Sequence, residues 1–343
     1  MSDPIITFPM FGDAFRLDFP SYFTVFGWKV HWYGIIIAVG FLLAVIYAMK
    51  RAPQFGFKED DIIDLLLCGV IPAVVCARAY YVIFEWDMYK DNFWSVFQIW
   101  NGGLAIYGGV IGCIIGIAIF AKVKKVKFLP TVDLVSLGLL IGQAVGRWGN
   151  FTNREAMSEK LTGSATNLPW RMGLTTEYGT AYYHPCFLYE SIWNIIGFVL
   201  IHFFSKKRKY DGQVFLLYLV WYGLGRVWIE GLRSDSLYIP GTNLRVSQIV
   251  ALLCVVVGVI LLIYNAVSKH HDPEDLYVNR DRKKASAAEA TEEELIKESE
   301  DFDEDLSDAF RMLSGNEDEN NVFSPTYTEK DVDDSEQSQK EEE

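Results

Sequence analysis

The sequence lacks most of the motifs that mark metal-binding proteins and enzymes with a covalent intermediate. Its five cysteines form no CxxC pair and four lie inside apolar runs, so neither a disulfide framework nor a zinc site is indicated. It contains no GxSxG, HExxH or P-loop motif. The N-terminus has no basic stretch followed by a small-residue cleavage site, so we expect no cleaved signal peptide. We also expect no metal and no cofactor.

Charge is scarce in most of the chain and concentrated at its end. Residues 269–343 hold 9 Lys and Arg against 26 Asp and Glu, whereas residues 1–268 hold 22 against 18. Such an acidic segment with few aromatic residues cannot bury enough apolar surface to fold alone. We therefore predict a membrane domain at 1–268 and a disordered acidic tail at 269–343, whose removal should leave activity intact. We expect no nucleic-acid partner.

Apolar runs of about 20 residues, the length that crosses a bilayer, recur through the first part of the chain. They predict an all-α integral membrane protein with seven transmembrane helices, of which the fourth is the shortest. The predicted spans are residues 31–49, 62–84, 103–121, 132–147, 186–204, 213–231 and 246–267.

The basic residues between these runs predict the orientation in the membrane. Clusters of Lys, Arg or His lie at 50–51, 122–127, 206–209 and 269–271, and seven spans place all four on one side. Cytoplasmic loops carry the excess of Lys and Arg. We therefore expect the N-terminus outside, the acidic tail in the cytoplasm, and a long outer loop at 150–183.

Two predicted spans carry a glycine at every fourth position, a spacing that lets helices approach closely in lipid. Because Arg147 directly follows the second stripe, we expect it to face neighbouring helices rather than lipid. The stripes are Gly108, Gly112 and Gly116 in span three and Gly138, Gly142 and Gly146 in span four.

Several ionisable side chains fall inside the predicted spans, where they are costly and mark a site or a water-filled cavity. An ion pair with a purely structural role would be enough to explain the ionisable residues of any single span. Nearly all polar groups of the spans, however, fall in the outer half, and pairs placed for packing have no reason to prefer one side. We therefore predict a cavity that opens outward and is basic enough to receive an anion. The ionisable residues are Arg78, Arg147, Glu190, Arg226 and Glu230.

Arginine suits an anion site because its planar fork of donors matches phosphate oxygens and it stays charged when desolvated. We predict that Arg147 and Arg226, one of them oriented by Glu230, form a phosphate clamp at the depth of lipid headgroups. A phospholipid is the natural ligand there. The alternative is a non-enzymatic seven-span transporter of lipid or solute, or a receptor, but a transporter should show repeated halves or broken helices. A third alternative is an acyltransferase, which should show a catalytic histidine or serine motif, and we find none in the sequence.

Six segments resemble the prolipoprotein diacylglyceryl transferase family. The most specific is GRWGNFTNREA at 146–156, and the resemblance runs in order from residue 30 to about 265, leaving the tail outside. The other segments are HWYG at 31–34, ARAYYVIF at 77–84, GGLAIYGGVIG at 102–112, HPCFLYES at 184–191 and YGLGRVWIEGLRSD at 222–235.

The resemblance implies a seven-helix enzyme of the bacterial plasma membrane whose active site faces outward. Such an enzyme transfers the diacylglyceryl group of phosphatidylglycerol to the lipobox cysteine thiol of a prolipoprotein. The products are a thioether-linked lipid and glycerol 1-phosphate. The implied partners are therefore phosphatidylglycerol, lipobox segments and the bilayer itself.

The matching motifs also imply roles for individual residues. Many members have a histidine, proposed as the base, where this chain has Tyr107, and a phenol with an ordinary pKa of about 10 is a poor base. Either nearby arginines deprotonate Tyr107, or His31 takes the proton, or no such base is needed. The implied catalytic residues are Arg147, Arg226, Glu230, His31, Tyr33 and Tyr107; those implied to bind phosphatidylglycerol are Arg147, Asn150, Glu155, Tyr222, Arg226 and Arg233.

Overall fold

The computed structural model describes residues 3–12, 15–90, 92–239, 241–268 and 271–285, with short stretches at 291–293, 295–297, 301–302 and 306–307. The chain divides into two compact units, Met1–Lys283 and Lys284–Glu343. In the second unit the described stretches are helical. The predicted disorder of the acidic tail falls mainly on residues outside the described ranges.

The first unit is mostly helical. Among the described residues, six helices are long and apolar enough to cross a membrane. A further helix, α6 (Gln213–Glu230), is not one of these six, because Arg226 and Glu230 in its last two turns lower its hydropathy. The six are α1 (Trp32–Arg51), α2 (Glu59–Phe84), α3 (Ile106–Val123), α4 (Phe128–Asn153), α5 (Cys186–Ser205) and α7 (Val246–Ser268).

The prediction that the fourth span is the shortest was wrong, because α4 has 26 residues. The helix extends beyond the predicted span of 132–147 at both ends, and its first turns contain Asp133. The Asp133 carboxylate accepts hydrogen bonds from the backbone N–H groups of Gly212 at 2.7 Å and Phe215 at 2.8 Å. At the other end the helix continues past Arg147, which therefore lies inside α4 rather than at its end.

Two small antiparallel sheets, which were not predicted, make the fold predominantly helical rather than all-α. One sheet has the strand order β2-β1-β5-β6, so that the N-terminus pairs with the second half of the 150–183 loop. The other is the β3–β4 hairpin, which leads directly into α1. The strands are β1 (Ile5–Thr7), β2 (Arg16–Leu17), β3 (Tyr22–Val25), β4 (Trp28–His31), β5 (Met172–Thr176) and β6 (Gly179–Tyr183).

The glycine stripe of α3 sets a close approach between α3 and α2, as predicted. A Cβ atom at Gly112 would overlap the backbone carbonyl of Pro72, and one at Gly108 or Gly116 would overlap a carbonyl oxygen one turn away on α2. Only glycine therefore allows the two backbones to approach this closely.

The glycine stripe of α4 is packed less tightly against α1. A Cβ atom at Gly142 would meet no neighbouring atom within 4 Å, and one at Gly138 would lie 3.7 Å from the Cβ atom of Ala44. Close packing along the whole α4 stripe was therefore a wrong expectation. The stripe still leads to Arg147, and that side chain does face other helices, as described below.

Residues 271–283, which we placed in the tail, lie within the first unit. Tyr277 is buried with its ring centroid 5.6 Å from that of Phe57, and its backbone N–H donates to the Asp211 carboxylate at 2.9 Å. Arg280 donates to the Gly56 carbonyl at 3.1 Å. A truncation that removes the acidic tail and spares these contacts must therefore begin after Lys283.

The two glycine stripes should respond differently to the same substitution. Gly112→Ala should lower the thermal unfolding midpoint of the purified protein in detergent, because overpacking at a rigid backbone costs about 1–3 kcal/mol. Gly142→Ala is the matched control and should leave the midpoint unchanged or slightly raised, because alanine favours the helix. Equal midpoints for the two variants would show that the α2–α3 contact is not the tighter one.

Candidate active site

One carboxylate, Glu190 in the second turn of α5, gathers three arginines. Its side chain is almost fully buried. Its Oε2 atom lies 2.5 Å from Nη2 of Arg147 on α4. Its Oε1 atom lies 3.3 Å from Nη1 of Arg226 on α6 and 3.4 Å from Nη1 of Arg233 in the segment that follows α6. Glu190 thereby joins three separate parts of the chain.

Two of these arginines have a second acidic partner. Nη2 of Arg226 lies 2.7 Å from Oε2 of Glu230, one turn further along α6. Arg233 donates two hydrogen bonds to Asp235, at 2.9 and 2.7 Å, and these bonds hold the pKa of the Asp235 carboxyl below its usual range. We call these six residues the arginine–carboxylate cluster: Arg147, Arg226, Arg233, Glu190, Glu230 and Asp235.

The cluster is balanced in charge, with three arginines facing three carboxylates. Buried charges are tolerated in this way, because each has an opposite charge at ion-pair distance. We had predicted a cavity that opens outward and is basic enough to receive an anion. In the cluster, each arginine already has at least one acidic partner.

The end of α4 connects Arg147 to the other predicted residues of its motif. Nη1 of Arg147 donates to Oδ1 of Asn150 at 3.3 Å, and Nδ2 of Asn150 donates to Oε1 of Glu155 at 3.0 Å. The chain reverses between them because Arg154 adopts a left-handed conformation, with φ of 56°, and caps the helix. Arg147, Asn150 and Glu155, which all belong to the GRWGNFTNREA motif, therefore form one hydrogen-bonded chain.

Arg154, the second arginine of the same motif, has a different role. Its guanidinium donates to the carbonyls of Pro4 at 2.7 Å, Phe19 at 2.5 Å and Thr152 at 2.9 Å, and its side chain is buried. It therefore fastens the N-terminal segment to the end of α4. No contact between Arg154 and the arginine–carboxylate cluster occurs among the described interactions.

The tyrosines predicted for the site lie at its edges. Tyr222 and Arg226 line a very small space beside Glu190, of about 10 Å³, which is close to the volume that one water needs. The space is therefore too small for a phosphate group in this structure. Tyr33 packs against Gly149, where an added Cβ atom would lie 2.8 Å from the tyrosine ring.

A larger apolar cavity of about 370 Å³ lies next to the cluster, between α1, α4 and α5. Trp148 and Ser191 line it, and they are the chain neighbours of Arg147 and Glu190. The two side chains are joined by a hydrogen bond from Nε1 of Trp148 to Oγ of Ser191 at 3.1 Å. This volume is in the range of small-molecule pockets. The other lining residues are Leu43, Leu140, Ile141, Ala144, Val145, Ile195 and Phe198.

The two candidate bases lie apart from the cluster. The described contacts of Tyr107 include the ring of Tyr80, 6.4 Å away, and those of His31 include the ring of Tyr22, 5.4 Å away. None of the described contacts joins either side chain to an arginine of the cluster.

Arg78, also predicted as an ionisable group of the spans, organises the loop between α2 and α3. Its guanidinium donates to the backbone carbonyls of Ser95 and Val96 at 2.7 Å each. It also donates to those of Gly102 at 2.7 Å and Gly103 at 2.9 Å. Its donors are therefore engaged by the protein backbone, and we assign it a structural role.

Comparison with known proteins shows the family of this chain. The family described as prolipoprotein diacylglyceryl transferase matches residues 20–264. The chain belongs to the prolipoprotein diacylglyceryl transferase family. It is 43% identical over 242 residues to the phosphatidylglycerol–prolipoprotein diacylglyceryl transferase of Clostridioides difficile (strain 630), covering 71% of this chain and 93% of the relative. Proteins of the same name match from Bacillus velezensis, at 40% identity over 71% of this chain and 91% of the relative, and from Acaryochloris marina, at 39% over 78% and 97%.

Membership of this family of transferases, together with the apolar helices, makes the chain a multi-pass membrane protein. Within the diacylglyceryl transferase motifs, the residue that we missed is Glu190. We had counted it among the ionisable groups of the spans but not among the site residues. Its position in HPCFLYES, one of the segments that resemble the family, was the available signal.

The two arginines of the GRWGNFTNREA motif should give different defects. Arg154→Ala should lower stability by about 2–4 kcal/mol, because several hydrogen bonds of a charged donor are lost. Limited proteolysis with identification of the cleaved bonds should show faster cutting within residues 3–20. Arg147→Ala is the matched control and should leave that cutting rate unchanged. Equal protection of the N-terminal segment in both variants would contradict the anchoring role of Arg154.

Proposed function

We propose that this protein transfers the diacylglyceryl group of phosphatidylglycerol to the lipobox cysteine thiol of prolipoproteins and releases glycerol 1-phosphate. The observation that carries the proposal is the position of the arginine–carboxylate cluster beside the 370 Å³ apolar cavity. A phospholipid needs both features: cationic groups for its phosphate and an apolar space for its chains. The names of the relatives specify the lipid and the protein substrate.

The proposed reaction is a displacement at a glycerol carbon. The thiolate sulfur forms a bond to that carbon, the bond from the carbon to the phosphate oxygen breaks, and the thiol proton passes to solvent before or during the attack. The phosphate changes from a diester with one negative charge to a monoester that gains a second. Guanidinium groups already aimed at the phosphate stabilise this growing charge.

Apart from His31 and Tyr107, the predicted site residues receive a part in this scheme. Arg147 and Arg226 bind the phosphate, and Glu230 orients Arg226 through their 2.7 Å ion pair. Asn150 and Glu155 hold the Arg147 side chain in place near the end of α4. Arg233 contributes a third cation through Glu190, while Tyr222 and Tyr33 shape the walls.

The proposed topology has seven spans, with α6 as the additional one. Its polar residues Arg226 and Glu230 are paired inside the protein rather than exposed to lipid. On its other side α6 packs along α7, where an added Cβ atom at Gly223 would lie 2.8 Å from the carbonyl oxygen of Ala251. With seven spans, the basic loops predict an outward-facing N-terminus and active site in the bacterial plasma membrane.

Purified protein mixed with phosphatidylglycerol vesicles and a lipobox peptide should add a diacylglyceryl mass to the peptide and release glycerol phosphate. Arg147→Ala and Arg226→Ala should each reduce the rate by about 100- to 1000-fold, as expected for removal of a donor that stabilises charge in the transition state. Mass spectrometry of the peptide and a phosphate-ester assay measure both products.

Two controls sharpen this test. Arg147→Lys keeps the charge but loses the planar fork, so its rate should fall between those of the wild type and Arg147→Ala. Arg171→Ala removes an arginine whose described contacts are the carbonyl of Leu168 and the ring of Tyr182, outside the cluster, and should stay within about twofold of the wild type. No mass gain with folded wild-type protein would overturn the proposed activity.

The question of the base is settled by Tyr107→Phe and His31→Gln. We expect both variants to retain rates within about threefold of the wild type, because removing a genuine general base costs about 100-fold or more. The expectation follows from the positions of both side chains apart from the cluster. A 100-fold loss for one variant, with an unchanged unfolding midpoint, would identify that residue as the proton acceptor instead.

A further inference from the structure

The arginines of the arginine–carboxylate cluster are already committed to acidic partners. All three have a carboxylate at ion-pair distance, and the space that Arg226 and Glu190 line is only about 10 Å³. An anion that enters a buried, neutral cluster adds an unmatched negative charge. Such a charge is costly in a low-dielectric environment. One of the cluster's own acids must therefore give up its arginine partner and its negative charge when the lipid binds.

Glu190 is the acid whose position suits this displacement. It is shared by all three arginines, whereas Glu230 contacts Arg226 and Asp235 contacts Arg233. Both of its oxygens are engaged: Oε2 contacts Arg147 and, at 3.5 Å, Arg226, and Oε1 contacts Arg226 and Arg233. Carboxylate and phosphate oxygens use the same donors of a guanidinium fork. The oxygens of a phosphate can therefore take the place of the Glu190 carboxylate oxygens as acceptors for these guanidinium groups.

We propose that Glu190 is an exchangeable counter-anion: the phosphate of the bound lipid replaces it as the partner of Arg147, and Glu190 takes up a proton as this happens. The proposal rests on the proposed function, since the lipid is the ligand that brings the phosphate. Protonation leaves the cluster with three arginines, the acids Glu230 and Asp235, and one phosphodiester charge. The cluster is then neutral again, as it was before the lipid bound.

The groups around Glu190 make it the proton acceptor within the cluster. The arginines keep their charge throughout the accessible pH range. The Asp235 side chain is about half exposed, at 47%, so water screens its charge without a proton. Glu230 keeps its ion pair with Arg226. The titratable and charged groups that face Glu190 are Arg147 on α4, Cys186 on α5, Arg226 and Glu230 on α6, and Arg233 and Asp235 after α6.

Calorimetric binding of a short-chain phosphatidylglycerol to the full-length protein in detergent tests the exchange. The phosphodiester does not titrate near neutral pH, so proton uptake measured in buffers of different ionisation enthalpy belongs to the protein. We expect uptake of about one proton per lipid, and an affinity that falls by up to about tenfold for each unit by which the pH rises.

Two variants assign the proton to one residue. Glu190→Gln removes the competing charge, so it should bind the lipid without proton uptake, with an affinity that does not change with pH. At pH 8 this variant should bind at least about tenfold more tightly than the wild type. Glu230→Gln is the matched control from the same cluster and should still take up a proton when the lipid binds.

The wild-type measurement tests the proposal even where a variant does not fold. Binding of the lipid by the wild type without proton uptake would overturn it, as would uptake that persists in folded Glu190→Gln. Peptide transfer is assayed on the same preparation. Wild-type protein that neither binds the lipid nor transfers it overturns the proposed function, whereas transfer without proton uptake overturns the Glu190 exchange alone.

Discussion

A charge buried among membrane helices must have a partner, and in this protein one carboxylate supplies that partner to three arginines. Glu190 joins α4, α5, α6 and the segment after α6 through Arg147, Arg226 and Arg233. Loss of one member would leave the others buried without compensation, which costs far more than an exposed ion pair contributes. The position of the candidate site is therefore bound to the packing of these helices, and neither can change alone.

The arginines of this protein fall into two groups according to what they contact. Arg78 and Arg154 donate to backbone carbonyls and fasten segments that are distant in sequence. A backbone carbonyl does not neutralise the guanidinium charge, but it occupies the N–H donors. These two side chains therefore have a structural role and are not available to bind a phosphate. The cluster arginines contact carboxylates, whose geometry a phosphate can reproduce. Residue type alone does not separate the groups, although Arg147 and Arg154 belong to the same motif.

Much of the fold could be predicted from the sequence because hydropathy and spacing are local properties. The α3 glycine stripe and the inward orientation of Arg147 followed from a repeat of four residues. The hydrogen-bond partners of Asp133 on α4 did not, because they are backbone groups of Gly212 and Phe215, far along the chain. The four-stranded sheet was not predicted for the same reason, because Ile6 of β1 pairs with Leu174 of β5, far along the chain. Glu190 as the common partner depends on the rotation and approach of three helices, which no single segment encodes.

A counter-anion inside the site has a consequence for catalysis that free arginines would lack. Three unpaired arginines would bind any phosphate tightly in the ground state, and binding that is equal in the ground and transition states does not raise kcat. With Glu190 present, the diester must first displace a competitor, so its ground-state affinity is moderated. The second charge that the phosphate gains as the carbon–oxygen bond breaks meets no further competitor, because the exchange is already complete. The cost of displacing Glu190 is the same in the bound lipid and in the transition state, so it weakens lipid binding without changing kcat. The arginines favour the transition state because the phosphate gains its second charge only there, and on the proposed mechanism the reionising carboxylate then helps to expel the product.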